Sequence, residues 1–149
     1  MSQISDTFES VCNANGIAFL QALKSIQALT QNKNKTWPIG YLDTPKDRVP
    51  ELNLQGAIEN EWNLFFTILD RDKKTNGEIQ SQAIVDNCRT IMDTFIQGLR
   101  DEADANGRKV VREITGLKET EIRQWSAGVL SGVAMEITLK FMDPTYACT

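Results

Sequence analysis

Histidine is absent from the 149 residues, and the three cysteines, Cys12, Cys88 and Cys148, include no close-spaced pair. The lack of histidine removes the commonest metal ligand and the commonest general base. The lack of a C-x-x-C pair excludes the usual zinc and thiol-redox motifs. We therefore predict no catalytic residues, no metal site and no cofactor, and we do not expect an enzyme.

Long apolar runs and an excess of basic charge are also missing. No run approaches the ~20 residues that a membrane helix needs. Residues 1–20 have no basic n-region and contain polar residues throughout, so we expect no cleaved secretory signal. The 16 Lys and Arg are outnumbered by 20 Asp and Glu, giving a net charge of −4. We therefore expect neither a membrane nor sequence-specific nucleic acid as a partner.

The remaining composition is that of a soluble globular domain. Apolar residues make up 41% of the chain and charged residues 24%, which argues against disorder. A chain of this size buries roughly 68–70% of its unfolded surface on folding. We therefore predict a single domain over residues 1–149.

Two segments show the two-residue period of β-strands. In the last of them, apolar residues alternate with Ala134, Glu136, Thr138 and Lys140; the apolar set is Val133, Met135, Ile137, Leu139 and Phe141. This alternation predicts a strand with one buried and one solvated face. Residues 61–70 form the second strand, in which Phe65 and Leu69 interrupt the polar side. Such a strand is either central in its sheet or covered by a second layer, which would be a helix or another copy of the chain.

Two other segments show helical periodicity. Apolar residues recur at three- and four-residue steps over 3–30, with Asn13, Asn15 and Gly16 as a possible break, and again over 79–100. The strand/loop region 37–56 contains a short extended piece and a long loop, 44–56, of the kind that binds partners. Residues 109–142 are predicted as C-terminal strands, with a turn at 115–119. The fold class is therefore α+β, with a mostly antiparallel β-sheet packed against two amphipathic helices.

Two patterns resemble functional motifs and fail their tests. An EF-hand loop counted from Asp70 has Lys74, Thr75 and Ser81 at positions that require other residues, so Asp70 to Lys74 is predicted to be a solvated turn. Ser131 stands one place away from its position in G-x-S-x-G, and no histidine is present to activate it. We predict a structural role for Ser131.

Large side chains provide the candidate interface. Trp125 stands among the polar residues Arg123, Gln124 and Ser126, so we expect it to be partly exposed, and exposed tryptophan is enriched at protein interfaces. The full set of predicted interface residues is Trp37, Trp62, Trp125, Arg123 and Tyr146.

The order of elements resembles a known family. A long amphipathic helix, the Pro-containing piece after Trp37, a strong strand, a second helix and a closing hairpin that ends in Leu130 to Phe141 are similar to the small tail-terminator and head–tail completion (neck) proteins of tailed bacteriophages. The resemblance implies a non-enzymatic virion protein, assembled in the host bacterial cytoplasm. It would form a homo-oligomeric ring, commonly a hexamer, that ends the tail tube and joins it to the head connector. The loop 44–56 has no clear counterpart in that family.

Two alternatives remain open from the sequence. A small non-viral α+β ligand-binding or regulatory domain predicts a deep apolar pocket within one subunit. An enzyme that uses carboxylates and a metal ion predicts convergence of at least two among Asp43, Asp70, Asp72 and Glu78.

Overall fold

A computed structural model describes residues 2–21, 37–43, 47–52, 58–73, 75–125 and 130–141. These residues form one six-stranded sheet and two long helices. In chain order the elements are α1 (Ser2–Ala14), β1 (Ala18–Gln21), β2 (Ile39–Leu42), β3 (Asp47–Leu52), β4 (Ile58–Arg71), α2 (Glu78–Asp101), β5 (Val111–Gln124) and β6 (Leu130–Phe141). The strand order is β1-β2-β4-β6-β5, and β3 pairs with the first half of β4. Among the described strands, only β1 and β2 pair in parallel, so the predicted α+β fold with a mostly antiparallel sheet and two helices is confirmed.

The two central strands are the two that the alternation predicts. β4 pairs with β6 from Glu61↔Lys140 to Arg71↔Leu130, and the predicted strand 61–70 lies within β4. One face of this pair is apolar along its length and nearly excluded from solvent; it comprises Leu64, Phe66, Ile68, Val133, Met135, Ile137 and Leu139. The buried half of the two-residue pattern is therefore the face that packs on the helices.

Both helices cover this same face of the sheet. Phe8 of α1, Phe66 of β4 and Phe95 of α2 meet in the core, with ring centroids 5.2 Å apart for Phe8 and Phe66 and 4.3 Å apart for Phe66 and Phe95. α2 spans almost the predicted range 79–100, and its buried stripe includes Cys88, Met92 and Leu99. The result is two layers, helices on one side and sheet on the other.

The first helix is shorter than predicted. α1 ends at Ala14 because Gly16 adopts a left-handed φ of +70°, which stops the helix. The amide of Ile17 then donates to the carbonyl of Cys12 at 2.9 Å, and the amide of Gly16 donates to the carbonyl of Asn13, as in a Schellman motif. The helix prediction over 3–30 is therefore wrong from residue 15 to Gln21, where the chain turns into β1; residues 22–30 lie outside the described residues.

The predicted loop 44–56 contains a strand. β3 pairs with β4 from Asp47↔Asn63 to Leu52↔Ile58, which makes a hairpin of this segment. Pro50 is compatible with it because, among the described strands, β3 pairs only with β4, and a strand paired on one side tolerates proline. Residues 44–46 and 53–56 of the predicted loop lie outside the described residues.

The predicted turn at 115–119 is a bulge inside one continuous strand. β5 runs through this segment, and its register against β6 shifts between Val111 and Glu113 and again between Thr115 and Lys118. Gly116, with φ of +64°, provides the left-handed residue that the second bulge needs. Gly116 does mark an irregular backbone, but the chain does not reverse direction there.

A substitution at Gly132 tests how closely the two central strands approach each other. A Cβ atom at this position would overlap the carbonyl oxygen of Ile68, a backbone atom that cannot swing away. We expect Gly132→Ala to lower the free energy of unfolding by about 3 kcal/mol, measured by urea denaturation. Gly77→Ala is the matched control, because its Cβ would meet only the flexible side chain of Gln80, and it should cost less than about 1 kcal/mol. Equal losses for both variants would contradict the proposed close approach.

Candidate functional site

The face of the sheet opposite the helices carries its own small apolar cluster. Ile39 of β2, Leu69 of β4 and Leu130 of β6 are buried there, and Ile39 and Leu69 are register partners. Partly buried side chains surround these three; they include Trp37, Tyr41, Ile122 and Trp125. We call the whole face of the sheet opposite the helices the open face. The cluster occupies one end of it.

Among the described residues, the rest of the open face is mostly polar and carries one half-exposed aromatic ring. Phe65 stands opposite Glu136 and is 42% exposed. Beyond it, the hydroxyl of Thr138 donates to Asn63 Oδ1 at 2.8 Å, and the Lys140 ammonium lies 3.8 Å from the Glu61 carboxylate. Phe65 is therefore a half-exposed apolar residue on a mostly polar surface.

The predicted interface residues fall in different places. Trp37 and Trp125 join the cluster on the open face, and the guanidinium of Arg71 lies 5.9 Å from the ring centroid of Trp37. Trp62 packs on the opposite side, against the helix-covered core. Arg123 forms ion pairs within the chain, and Tyr146 lies outside the described residues. The structure brings together only two of the five, Trp37 and Trp125.

A network of ion pairs joins the C-terminal half of β5 to α2. The guanidinium of Arg89 donates to Glu119 Oε2 at 2.7 Å and also to Glu121, while Arg123 contacts Glu121 at 2.6 Å and Glu78 at 3.6 Å. The hydrogen bond from Arg89 lowers the pKa of Glu121; desolvation opposes this effect, and Arg123 reinforces it. This half of β5 is therefore held against the helix.

The N-terminal half of β5 borders an open groove of about 390 Å³ against the end of α2. We call it the β5 groove. Its lining supplies apolar surface from Ile96, Ile114 and Leu117, basic groups from Arg100, Lys109 and Arg112, and one carboxylate from Glu113. Leu117, 50% exposed, directly follows Gly116, so the β-bulge sets its position. A surface groove of this kind differs from the deep pocket that the ligand-binding alternative predicts.

β5 is an edge strand of the described sheet, and its features oppose pairing with a further strand. It contains two bulges and a run of charged residues, namely Lys118, Glu119, Glu121 and Arg123. Bulges and charges are the usual devices that keep an edge from pairing with another chain. Contacts at this edge are therefore expected through side chains and not through backbone hydrogen bonds.

A buried polar network connects four separate segments at one end of the molecule. Asp72, only 7% exposed, accepts hydrogen bonds from the hydroxyls of Ser81 and Ser131. Its other oxygen accepts from the amide of Lys73 and the side chain of Asn76, both at 2.7 Å. The prediction that Asp70 to Lys74 is a solvated turn is thus wrong for Asp72, while the structural role expected of Ser131 fits its place in the network.

Gln124 closes this network from β5. Its amide donates to the hydroxyl of Ser131 at 2.8 Å, and its side chain donates to the carbonyl of Asn76 at 2.9 Å. Gln124 has a left-handed φ of +48°, an uncommon conformation for a residue with a side chain. The hydrogen bonds hold the end of β5, the start of β6 and the first turn of α2 together.

The electrostatics of these buried groups indicate stability and not reactivity. Desolvation raises the pKa of Asp72, but the hydrogen bonds from Ser131, Ser81, Lys73 and Asn76 outweigh it and leave the pKa below its usual value. Burial raises the pKa of Cys12 and that of Cys88 to about 12, with smaller contributions from Glu9 and Asp70. Thiols with such values are poor nucleophiles at neutral pH.

The described residues provide neither a cluster of metal ligands nor a membrane-spanning helix. Within them, no group of three or more Cys, Asp or Glu side chains is placed to hold a metal ion. No helix that the structure describes is both long enough and apolar enough to cross a membrane.

Comparison with known proteins assigns the chain to no family. No protein-family model matches the chain, and a search of curated proteins finds no significant match.

The sequence analysis identified only one of the three exposed large apolar residues among those described. It marked Phe65 as an interruption of the polar side of β4, but it assigned Leu117 to a turn and drew no conclusion from Ile79. Ile79 is 85% exposed. The signal for Ile79 was present, because it falls outside the apolar stripe of α2.

The Asp72 network predicts acid-sensitive stability. Because the folded-state pKa of Asp72 lies below its unfolded value, its contribution is complete above the unfolded pKa, about 3.9, and is lost as pH falls through the folded pKa. Asp72→Asn should cost about 2 kcal/mol at neutral pH, and the difference from wild type should shrink below about pH 4. Urea denaturation across pH measures this. Thr138→Val is the control, because neither Thr138 nor its partner Asn63 titrates; a pH-independent cost of Asp72→Asn would contradict the assignment.

Proposed function

We propose that this protein is a non-enzymatic structural subunit that binds copies of itself, and that it serves as a tail-terminator or neck component of a tailed bacteriophage. In that role its copies form a ring, commonly a hexamer, that ends the tail tube and presents a docking face to the head connector. Its partners are then other copies of the chain, the tail-tube protein and the connector protein, and its location is the virion.

The observation that carries the proposal is the placement of the exposed large apolar side chains. Phe65 lies on the open face, Ile79 on the first turn of α2 and Leu117 on the edge strand β5. A single exposed apolar residue is ordinary on a soluble protein. Exposed apolar residues on separate surfaces favour a subunit with several neighbours, because closure of a ring by head-to-tail contacts requires two different surfaces on each copy.

The assignment to phage tails rests on the layout of the chain. The second helix between β4 and the closing β5–β6 hairpin supports the resemblance on which the proposal is based. The β3–β4 pairing, which stands where a loop was expected, adds a further strand to the sheet. Backbone pairing between subunit edges is not supported at β5, because its bulges and charges oppose it.

If the protein were a ligand-binding domain, the β5 groove would be the candidate binding site. That groove has a volume within the range of small-molecule sites, about 300–1,000 Å³, and mixes apolar with basic groups. It is nevertheless open on the surface, and Leu117, one of its apolar lining residues, is half exposed. A groove of this form suits a protein side chain from a neighbour better than an enclosed small molecule.

The native mass of the purified protein tests the proposal. We expect light scattering at micromolar concentration to give a multiple of the 16.7 kDa chain mass, close to six, and negative-stain electron microscopy to show closed rings. The same mass at high salt would separate a specific ring from ionic association of an acidic protein. A monomer at all concentrations tested, with no rings in the images, would refute the proposed function.

A further inference from the structure

We infer that the first turn of α2 in one copy docks into the β5 groove of the next, a contact that rests on the proposed self-assembly and names its surfaces. The inserting part is Glu78 with Ile79, which we call the α2 knob. The receiving part is the β5 groove.

The groove is built by the backbone and not by chance exposure of one side chain. Ion pairs from Arg89 and Arg123 bind the C-terminal half of β5 to α2, whereas the N-terminal half borders the groove. The bulge at Gly116 then fixes the position of Leu117 on the groove wall. Bulges commonly redirect side chains at functional places on sheet edges.

The α2 knob protrudes in a form that suits this groove. Ile79 and the Glu78 side chain are each 85% exposed, and they lie side by side in the first turn of the helix. Their neighbour Gly77 has no side chain to screen them. An isoleucine at this point contributes nothing to the buried stripe of α2, so its burial would come from another molecule.

The charges of the two surfaces are complementary. The groove combines apolar surface with three basic groups, Arg100, Lys109 and Arg112, and one carboxylate, Glu113, so its lining is net basic although the chain as a whole is acidic. Arg100 already pairs with Asp101. The knob combines one apolar side chain with the carboxylate of Glu78, which lies 3.6 Å from Arg123 of its own chain. Insertion would place Ile79 against the apolar side chains Ile96 and Leu117 and bring Glu78 towards the basic groups, which favours correct docking over random contact.

The knob and groove lie towards opposite ends of the same helix. Ile79 and Arg100 are separated by roughly 30 Å along the axis of α2 at 1.5 Å per residue. A contact between opposite ends of identical molecules is heterologous, so it leaves a free knob at one end of each pair and a free groove at the other. Such a contact propagates until a ring closes, which is the behaviour that the proposed function needs.

Single substitutions test the α2 knob and the β5 groove independently. Ile79→Asp should abolish the knob and Leu117→Asp the groove, and each should weaken self-association by about tenfold or more, as expected for loss of a central apolar anchor. Asn87→Asp is the control, because it adds a carboxylate at an exposed position midway along α2. Circular dichroism and thermal melting establish that each variant folds. Light scattering and sedimentation then measure the mass.

Mixing the two variants gives the decisive result. Each alone should be monomeric, but an equimolar mixture of Ile79→Asp and Leu117→Asp should form a dimer and nothing larger, because one intact knob meets one intact groove. A charge exchange gives a second readout: Glu78→Lys and Lys109→Glu should each weaken assembly, and the double variant should recover it.

The outcomes distinguish the inference from the proposed function. A wild-type protein that is monomeric refutes both. A wild-type ring that persists in Ile79→Asp and Leu117→Asp refutes only the knob-and-groove contact and leaves assembly through other surfaces. A mixture that stays monomeric although both variants are folded also refutes the contact.

Discussion

The close antiparallel pairing of β4 with β6 is the constraint on which the rest of the structure depends. Its register, from Glu61↔Lys140 to Arg71↔Leu130, decides which residues point to the helices and which to the open face. A slip by one residue would exchange the two faces and expose the apolar set. Gly132 helps to fix that register, because no side chain fits between its Cα and the Ile68 carbonyl.

This pairing accounts for the unequal faces of the sheet. On one side, α1 and α2 close the core around the Phe8, Phe66 and Phe95 rings. On the other side, a cluster around Leu69 is buried at one end, while Phe65 remains half exposed. Among the described residues, the first side supplies most of the hydrophobic stabilisation.

The elements that periodicity predicts well are those whose pattern is set by packing on the core. β4, β6 and α2 each bury one regular stripe, so their positions could be read from the sequence. The predictions fail where the backbone conformation of a glycine, and not the side-chain pattern, determines the structure. Gly16 ends α1, and Gly116 makes a bulge where a turn was expected. The Asp72 network escaped prediction for another reason, because its members Ser81, Gln124 and Ser131 are distant in sequence and meet only after folding.

The edge strand β5 shows how one element can both prevent and permit association. Backbone pairing between edges depends little on side chains, so an unprotected strand would accept many partners. The bulges and charges of β5 oppose that kind of contact, yet the bulge at Gly116 also places Leu117 on the wall of the groove. Recognition by shape and charge needs a specific counterpart, and the counterpart that we propose is Glu78 with Ile79 of another copy. An edge of this design would limit growth to one geometry, which a closed ring requires and an open aggregate does not.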